Sequence, residues 1–386
     1  MYQALTAFLP SLALGWLILH FGSLHESLTG DTIDGSPQKI HSVPVPRIGG
    51  LMIFIGFMVG VGFSSWRGQV SWGQCGIIVL CALPAFLGGF YEDVTKKGSV
   101  LLRLSLTFLS AGLAFWLLGA RLDRLDFPLA DAWLQFLPLS LLFTMFAAGG
   151  VSQSMNIIDG LNGLAAFIGM AILSAIGVVA WKVGDPLIVS ICTASVGGML
   201  GFFAWNFPRG RIFCGDGGAY FIGFVIAEVS VLLVHRHAEV SAWFPLVAAA
   251  YPIWETMFSI YRRRLVTGKA ATQPDALHLH SLVYRWVTRL SLVNRVPAVS
   301  AWRRNAISSM LCWIFPAATA VLGVLFWDDT FNLTLSTLAF AVAYVLVYRM
   351  LSNKNNWRRS RRRSARDTRG ADKPAYGGAS KADPLV

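Results

Sequence analysis

The chain has 386 residues, of which 55% are hydrophobic and only 13% charged, with a formal net charge of +12. A composition this apolar excludes a water-soluble globular domain, whose surface needs more polar residues, and indicates an integral membrane protein. Five cysteines (Cys75, Cys81, Cys192, Cys214, Cys312) form no CxxC pair and mostly fall within apolar runs, which argues against a disulfide framework or a zinc site.

About 20 helical residues cross a hydrocarbon core of roughly 30 Å, and eleven apolar runs have that length, beginning near Tyr2, Ile48, Cys75, Val100, Trp133, Ile157, Pro186, Ala219, Ser241, Ile307 and Phe331. The runs are continuous and not alternating, so the expected fold is an all-α polytopic bundle of about eleven membrane helices. Pro84 and Pro138 interrupt the third and fifth runs. No positive residue precedes the first run and no small-residue cleavage pattern follows it, so it reads as a retained helix and not a signal peptide. Lys39 and Arg47 come next. By the positive-inside rule they place the first loop in the cytoplasm, the amino end outside and, after eleven crossings, the carboxyl end inside. All but five of the 32 Lys and Arg then lie on the inner side, the exceptions being Arg67, Arg121, Arg124, Lys182 and Arg236.

This divides the chain into a transmembrane domain, residues 1–350, with cytoplasmic loops at 21–47, 91–99, 150–157, 206–218 and 262–306, and a basic, largely disordered tail, residues 351–386. The tail block W-R-R-S-R-R-R-S-A-R from Trp357 favours anionic lipid headgroups. It lacks the aromatic stacking platform of a nucleic-acid binder, so no nucleic acid is expected.

Five polar segments share the predicted cytoplasmic face: H-S-V-P-V-P-R-I-G-G (41–50), F-Y-E-D-V-T-K-K-G (90–98), N-I-I-D-G-L-N-G (156–163), R-G-R-I-F-C-G-D-G-G (209–218) and D-A-L-H-L-H-S (275–281). Together they supply the carboxylates Glu92, Asp93, Asp159 and Asp216, the amides Asn156 and Asn162, His278 and His280, and Arg47, Arg209 and Arg211, with Arg262 to Arg264 close by. Hard oxygen ligands suit Mg²⁺ or Mn²⁺, and guanidinium groups suit phosphate. The C-G-D-G-G turn at a helix start offers free N–H groups for phosphate oxygens, with Asp216 placed to hold a metal beside them. Asn156, Asp159 and Asn162, spaced by three, would share one helix face. His278 and His280, spaced by two, converge on an extended segment and so belong on an irregular loop.

Each feature also has a plainer explanation. Asp159 or Asp216 alone could cap a helix, Glu92 and Asp93 could form an ion cluster with Lys96 and Lys97, the histidines could be surface residues, and Arg262 to Arg264 could anchor the inner membrane edge. Gly149, Gly197 and the Gly56–Gly60 step fit close helix packing. Glu228 and Glu255 lie within apolar spans, where an acid is expensive, and Arg262 is the default partner for Glu255.

In order and wording the five segments resemble the polyprenyl-phosphate N-acetylhexosamine-1-phosphate transferase superfamily (glycosyltransferase family 4). That group includes the bacterial UDP-GlcNAc:undecaprenyl-phosphate GlcNAc-1-phosphate transferases and the phospho-MurNAc-pentapeptide translocases. The resemblance runs from about residue 40 to 290 and is carried chiefly by N-x-x-D-G-x-N-G-L-A followed by F-x-G-D-x-G. It implies a bacterial inner-membrane enzyme with a cytoplasmic active site, transferring an N-acetylhexosamine-1-phosphate from a UDP-sugar to undecaprenyl phosphate at the start of surface polysaccharide synthesis, O-antigen or similar. Position by position the resemblance implies metal binding for Asp216, phosphate or metal work for Asp93, and a shaping role at the same centre for Asp159. It also implies places near the nucleotide base for Asn162 and near the sugar diphosphate for His278 and His280. With the reading of the residues this gives Asp93, Glu92, Asp159, His278 and His280 as the catalytic candidates and Asp216 and Asp93 as the metal ligands. Arg47, Asn156, Asn162, Arg209, Arg211 and Arg263 are the substrate-binding candidates. The implied cofactor is Mg²⁺ or Mn²⁺; whether Asp93 acts as a base or a covalent nucleophile stays open, as does assembly, a homodimer included. Two positions depart from the family pattern: Glu92 stands where an aspartate is usual, and Ser281 where a further histidine is.

Two rivals come from other classes. An intramembrane aspartyl protease is suggested by F-C-G-D and Y-E-D, but position 213 is Phe where glycine is required and Glu92 follows the tyrosine. A secondary transporter would show repeated halves and midplane polar breaks. Here the halves are dissimilar and polarity gathers on one face.

Overall fold

The computed structural model describes residues 2–22, 29–31, 45–266, 277–293 and 300–371. Ten helices among them are long and apolar enough to cross a membrane: α1 (Tyr2–His20), α2 (Gly49–Trp66), α3 (Trp72–Thr95), α4 (Val100–Leu117), α6 (Leu137–Ile158), α7 (Leu164–Lys182), α8 (Pro186–Asn206), α9 (Gly215–Arg236), α13 (Ala301–Leu325) and the first part of α14 (Thr330–Ala371). Shorter helices are α5 (Pro128–Leu134), α10 (Trp243–Ala248), α11 (Ala250–Tyr261) and α12 (Leu279–Val293). A two-residue ribbon pairs β1 (Gly30–Asp31) with β2 (Val45–Pro46), antiparallel, Gly30 opposite Pro46. This is a polytopic helical membrane protein.

The ninth expected span is not one helix. It breaks into α10 and α11 at Ala249 and ends in a π-helical turn, Arg262–Val266. Pro252 explains the break, because its ring clashes with the carbonyl four residues back, at Ala248, and it donates no hydrogen bond there. Pro84 has a milder effect. The N–H of Ala85 donates to Ser110 Oγ of α4 at 2.9 Å, so a neighbouring hydroxyl serves the backbone the proline disturbs, and α3 runs through. Pro138 sits in the first turn of α6, where no N–H is needed.

The chain divides into a unit of residues 1–342 and a second of 343–386. In the second, helical backbone runs to Ala371, past the position expected to begin a disordered tail, and residues 372–386 lie outside those described.

Helix α9 is the axis of the first unit. Its apolar window is 94% buried, against 22–67% for the other nine, because α2, α3 and α6 pack around it. Glycines permit such approaches: a Cβ on Gly223 of α9 would lie 2.4 Å from Ser152 Cα of α6. Elsewhere in the bundle, one on Gly60 of α2 would lie 2.7 Å from Ala194 Cβ of α8, and one on Gly56 2.6 Å from the Ala7 carbonyl of α1. At the end of the bundle away from the motifs, Asp126 accepts from Ser241 Oγ (2.9 Å) and the Ala242 N–H (2.7 Å) and pairs with Arg124 (2.7 Å). Asp185 caps α8 and holds Arg236 at 2.9 Å.

Where α3 meets the start of α9, a Cβ on Gly89 would fall on the backbone of Asp216 and Gly217. Overpacking of that kind costs about 1–3 kcal/mol. Gly89→Ala is therefore expected to lower the thermal unfolding midpoint in detergent, whereas Gly76→Ala, on the same helix with open space around it, is not. Equal midpoints for the two variants would refute the close contact.

Candidate active site

The first two motifs to meet are V-P-R-I-G-G and F-C-G-D. Their backbones form a ladder: Phe213 N–H donates to the Pro46 carbonyl (2.8 Å), Gly49 N–H to Phe213 (2.9 Å) and Gly50 N–H to Cys214 (2.7 Å). The ladder sets Arg47 beside Asp216, Nη2 to Oδ1 3.7 Å.

Helix α9 begins after Cys214, whose side chain makes no capping hydrogen bond. Asp93, from the last turns of α3, supplies the cap instead. Its two oxygens accept the N–H groups of Asp216 and Gly217, each at 2.8 Å, and it is only 4% exposed. A carboxylate at a helix N-terminus also meets the positive end of the helix dipole. Two of the N–H groups expected to cradle phosphate, those of Asp216 and Gly217, are thus engaged by Asp93. Asp93 itself, expected from the sequence as a metal ligand, base or nucleophile, here caps α9.

Asp216, freed from capping its own helix, turns into the site. Its Oδ1 accepts from Asn156 Nδ2 at 2.7 Å, and its Oδ2 pairs with Arg103 Nη1. The same nitrogen contacts Glu92 Oε2 at 2.5 Å. Arg103 is 7% exposed and lies 5.3 Å over the Tyr220 ring, whose hydroxyl donates to Gln153 Oε1. Arg103, Gln153 and Tyr220 were not singled out in the sequence. The available signal was an arginine one turn inside an apolar span, a charge the membrane tolerates only when paired.

Asn156, Asp159 and Asn162 do not share a helix face. Helix α6 runs to Ile158, so the expected loop at 150–157 is helical and the turn comes at 159–163, with Gly163 left-handed at φ 75° before α7. Asn156 stays on α6 and reaches Asp216, while Asp159 is the C-cap. Asn162 ties its turn to α13 and to the loop after α8: its N–H donates to Asn305 Oδ1 (2.9 Å) and its Nδ2 to the Pro208 carbonyl (3.1 Å). Asn206, the last residue of α8, 5% exposed and also not singled out, links the 159–163 turn to the loop after α8: it accepts the Gly163 N–H (2.5 Å) and donates to the Ile212 carbonyl (2.8 Å).

The acids nonetheless gather. The buried Cys214 thiol is pushed well above its usual pKa by burial first and then by Asp159, Asp93 and Asp216 together. Asp159 accepts no hydrogen bond among the described residues. Its pKa is raised to about 7, by burial and by Asp216, against the opposing pull of Arg47.

His278 lies on an irregular stretch, at a bend, as expected, whereas His280 is in the first turn of α12. Their rings still stack, centroids 5.5 Å apart and 6° from parallel. Glu255 Oε1 contacts His278 Nδ1 at 2.9 Å and accepts the Leu279 N–H at 3.1 Å. The His280 ring packs on Gly160, next to Asp159. Arg263 is 8% exposed in the π-helical turn. Arg209 and Arg211 border a separate cavity of about 470 Å³ with Trp205, Phe207 and Trp302, and the Arg209 guanidinium lies 5.4 Å over the Trp302 ring.

Among the described residues no three His, Cys, Asp or Glu are arranged to hold a metal ion. Mg²⁺ takes one or two carboxylates and completes its shell with substrate phosphates and water. The hard oxygens of Asp216, beside Asp159, fit that demand; those of Asp216 meet the side chains of Asn156 and Arg103, while those of Asp93 each accept a backbone N–H of α9. Among the described residues no hydrogen bond joins the Asp93 and Asp216 side chains, as the shared proton of an aspartyl-protease dyad would: Asp93 accepts backbone N–H groups, and Asp216 meets Asn156 and Arg103.

A family model described as glycosyl transferase family 4 matches residues 75–234. A probable undecaprenyl-phosphate N-acetylglucosaminyl 1-phosphate transferase of Bacillus subtilis is 30% identical over 254 residues, 64% of this chain and 67% of that protein. A decaprenyl-phosphate N-acetylglucosaminephosphotransferase of Mycolicibacterium smegmatis is 26% identical over 377 residues, 88% of this chain and 85% of its own length. A phospho-N-acetylmuramoyl-pentapeptide-transferase of Enterococcus hirae is 28% identical over 287 residues, 69% and 85% of the two chains. The arrangement is that of a multi-pass membrane transferase built on helix ends. The chain belongs to glycosyl transferase family 4.

The raised pKa of Asp159 has a thermodynamic signature. Between its unfolded pKa near 3.9 and its folded value of about 7, the folded state holds more proton than the unfolded state, so this group lowers stability as pH rises through that window. Asp159→Asn is expected to be more stable than the parent at pH 8, with the gain shrinking towards pH 5. A stability difference independent of pH would contradict the assignment.

Proposed function

We propose that the chain transfers an N-acetylhexosamine-1-phosphate from a UDP-sugar to undecaprenyl phosphate, releasing UMP, as the first membrane step of a surface polysaccharide such as O-antigen. The observation that carries this reading is the convergence of Glu92, Asn156, Asp159, Asp216, Arg47 and Arg103 from the ends of α3, α4, α6 and α9 and the connection between β2 and α2. Family membership and the acceptors named for the relatives support the reaction class.

A phosphate monoester has its second pKa near 6, so at neutral pH the acceptor is already largely dianionic and attacks the β-phosphorus with little need of a base. The barrier is repulsion, since a dianion must approach a diphosphate. Arg47, with its side chain 38% exposed beside Asp216, is suited to orient the diphosphate. Asp216 would hold Mg²⁺, which when bound supplies the charge neutralisation that the diphosphate and the leaving UMP require. His278, fixed by Glu255, and His280, seated on Gly160, are suited to border the sugar diphosphate. The capping role of Asp93 favours direct attack by the lipid phosphate over a covalent intermediate on that residue. UDP-sugars are cytoplasmic, so the reading sets the site at the inner face of the bacterial plasma membrane. Anionic lipids would then be held by the basic block from Trp357.

Purified protein incubated with undecaprenyl phosphate, Mg²⁺ and a panel of UDP-N-acetyl sugars is expected to give one lipid-linked sugar diphosphate by mass analysis, and Asp216→Asn to give at least 100-fold less. Full activity of that variant would remove the metal assignment. Labelled UMP should exchange into UDP-sugar only when lipid is present; exchange without it would favour the covalent route.

A further inference from the structure

We infer that Arg103 is a resident cation that occupies Asp216 before a divalent ion binds, and that Glu92 is the carboxylate onto which it withdraws. The inference rests on the reading of Asp216 as the metal-holding residue. One guanidinium nitrogen, Nη1, contacts Glu92 Oε2 at 2.5 Å and Asp216 Oδ2 together. Arg103 is 7% exposed and bounded by the Tyr220 ring at 5.3 Å, so it cannot move off into water as the more open Arg47 can.

A dication at Asp216 would be repelled by this guanidinium twice as strongly as a unit charge would be. The guanidinium does not need to leave the site to relieve that repulsion. It needs only to release one oxygen and keep the other. The release works because Glu92 is a glutamate: its extra methylene lets a residue on α3 reach a guanidinium rooted in the first turn of α4 while Asp216 stays on α9. The departure from the family's paired aspartates then has a use. Position 92 holds the displaced arginine and not the metal, which makes Arg103 a positioning residue that sets how tightly the ion binds.

The test uses the full-length protein in detergent, without substrates, and Mn²⁺ as the probe, its free concentration read by electron paramagnetic resonance. Arg103→Gln should bind Mn²⁺ at least tenfold more tightly than the parent, since the competitor is gone. Arg103→Lys, which keeps a charge with a smaller donor set, should fall between them, and it carries the test if the glutamine variant does not fold. Glu92→Gln should weaken binding in the parent but change nothing in the Arg103→Gln background. Two outcomes overturn the inference: position 103 variants that bind no more tightly than the parent, or a Glu92→Gln loss that is equal in both backgrounds and so makes Glu92 a direct ligand. Parent-like Mn²⁺ affinity in Asp216→Asn would instead remove the metal reading beneath it, a result separate from either.

Discussion

The carboxylate of Asp93 on the first N–H groups of α9 is the contact on which the rest of the site depends. A helix start buried among other helices needs acceptors for its orphan donors, and Cys214, Gly215 and the two following glycines offer none in their side chains. With the cap supplied from α3, Asp216 need not fold back onto its own backbone, and its side chain is released towards Asn156, Arg47 and Arg103. The glycines of C-G-D-G-G therefore serve contact more than ligand binding. Gly217 meets Phe90 of α3 and Gly218 meets Gly50 of α2, so the start of α9 can lie directly against two neighbouring backbones.

Around that anchor the site balances its charges locally. Glu92, Asp159 and Asp216 face Arg47 and Arg103, and all of them sit at helix ends, where the membrane penalty for a charge is smallest. The arrangement leaves acids in slight excess, held together by one buried guanidinium and one open one. Such a site is poised for further positive charge and, once it has that, for phosphate. Neither the acids alone nor the arginines alone would suit a reaction that joins two phosphate-bearing substrates.

Much of this was legible in the residues, and the misses have physical reasons. Apolar run length found ten unbroken helices and the broken ninth span, but a window of hydropathy does not register a proline that splits a helix, as Pro252 does. The motif N-I-I-D-G-L-N-G is legible as a site, yet its helical spacing misleads: α6 ends at Ile158 with Asp159 as its C-cap, and α7 starts only after the left-handed Gly163, so the three polar residues share no helix. Acids and histidines were found because they are conspicuous in apolar surroundings. Arg103 was counted among the inner-side anchoring charges, where an arginine is ordinary. Its role comes from Glu92, eleven positions before it, and from Asp216, far along the chain, and no local pattern encodes that meeting.

Gly160 shows how two distant motifs specify each other. Its φ is not among the left-handed glycines, in contrast to Gly163, so the turn itself does not require glycine there. What requires it is space. The His280 Nε2 edge occupies the position a Cβ would fill, and the ring is set there because α12 begins at Leu279, whose N–H is held by Glu255 along with His278. A side chain at residue 160 would push the histidine away from Asp159, and a helix start displaced by one residue would do the same. The glycine of the Asp-Gly step and the acid buried in α11 are thus parts of one device, which seats the histidine segment on the loop that carries Asp159.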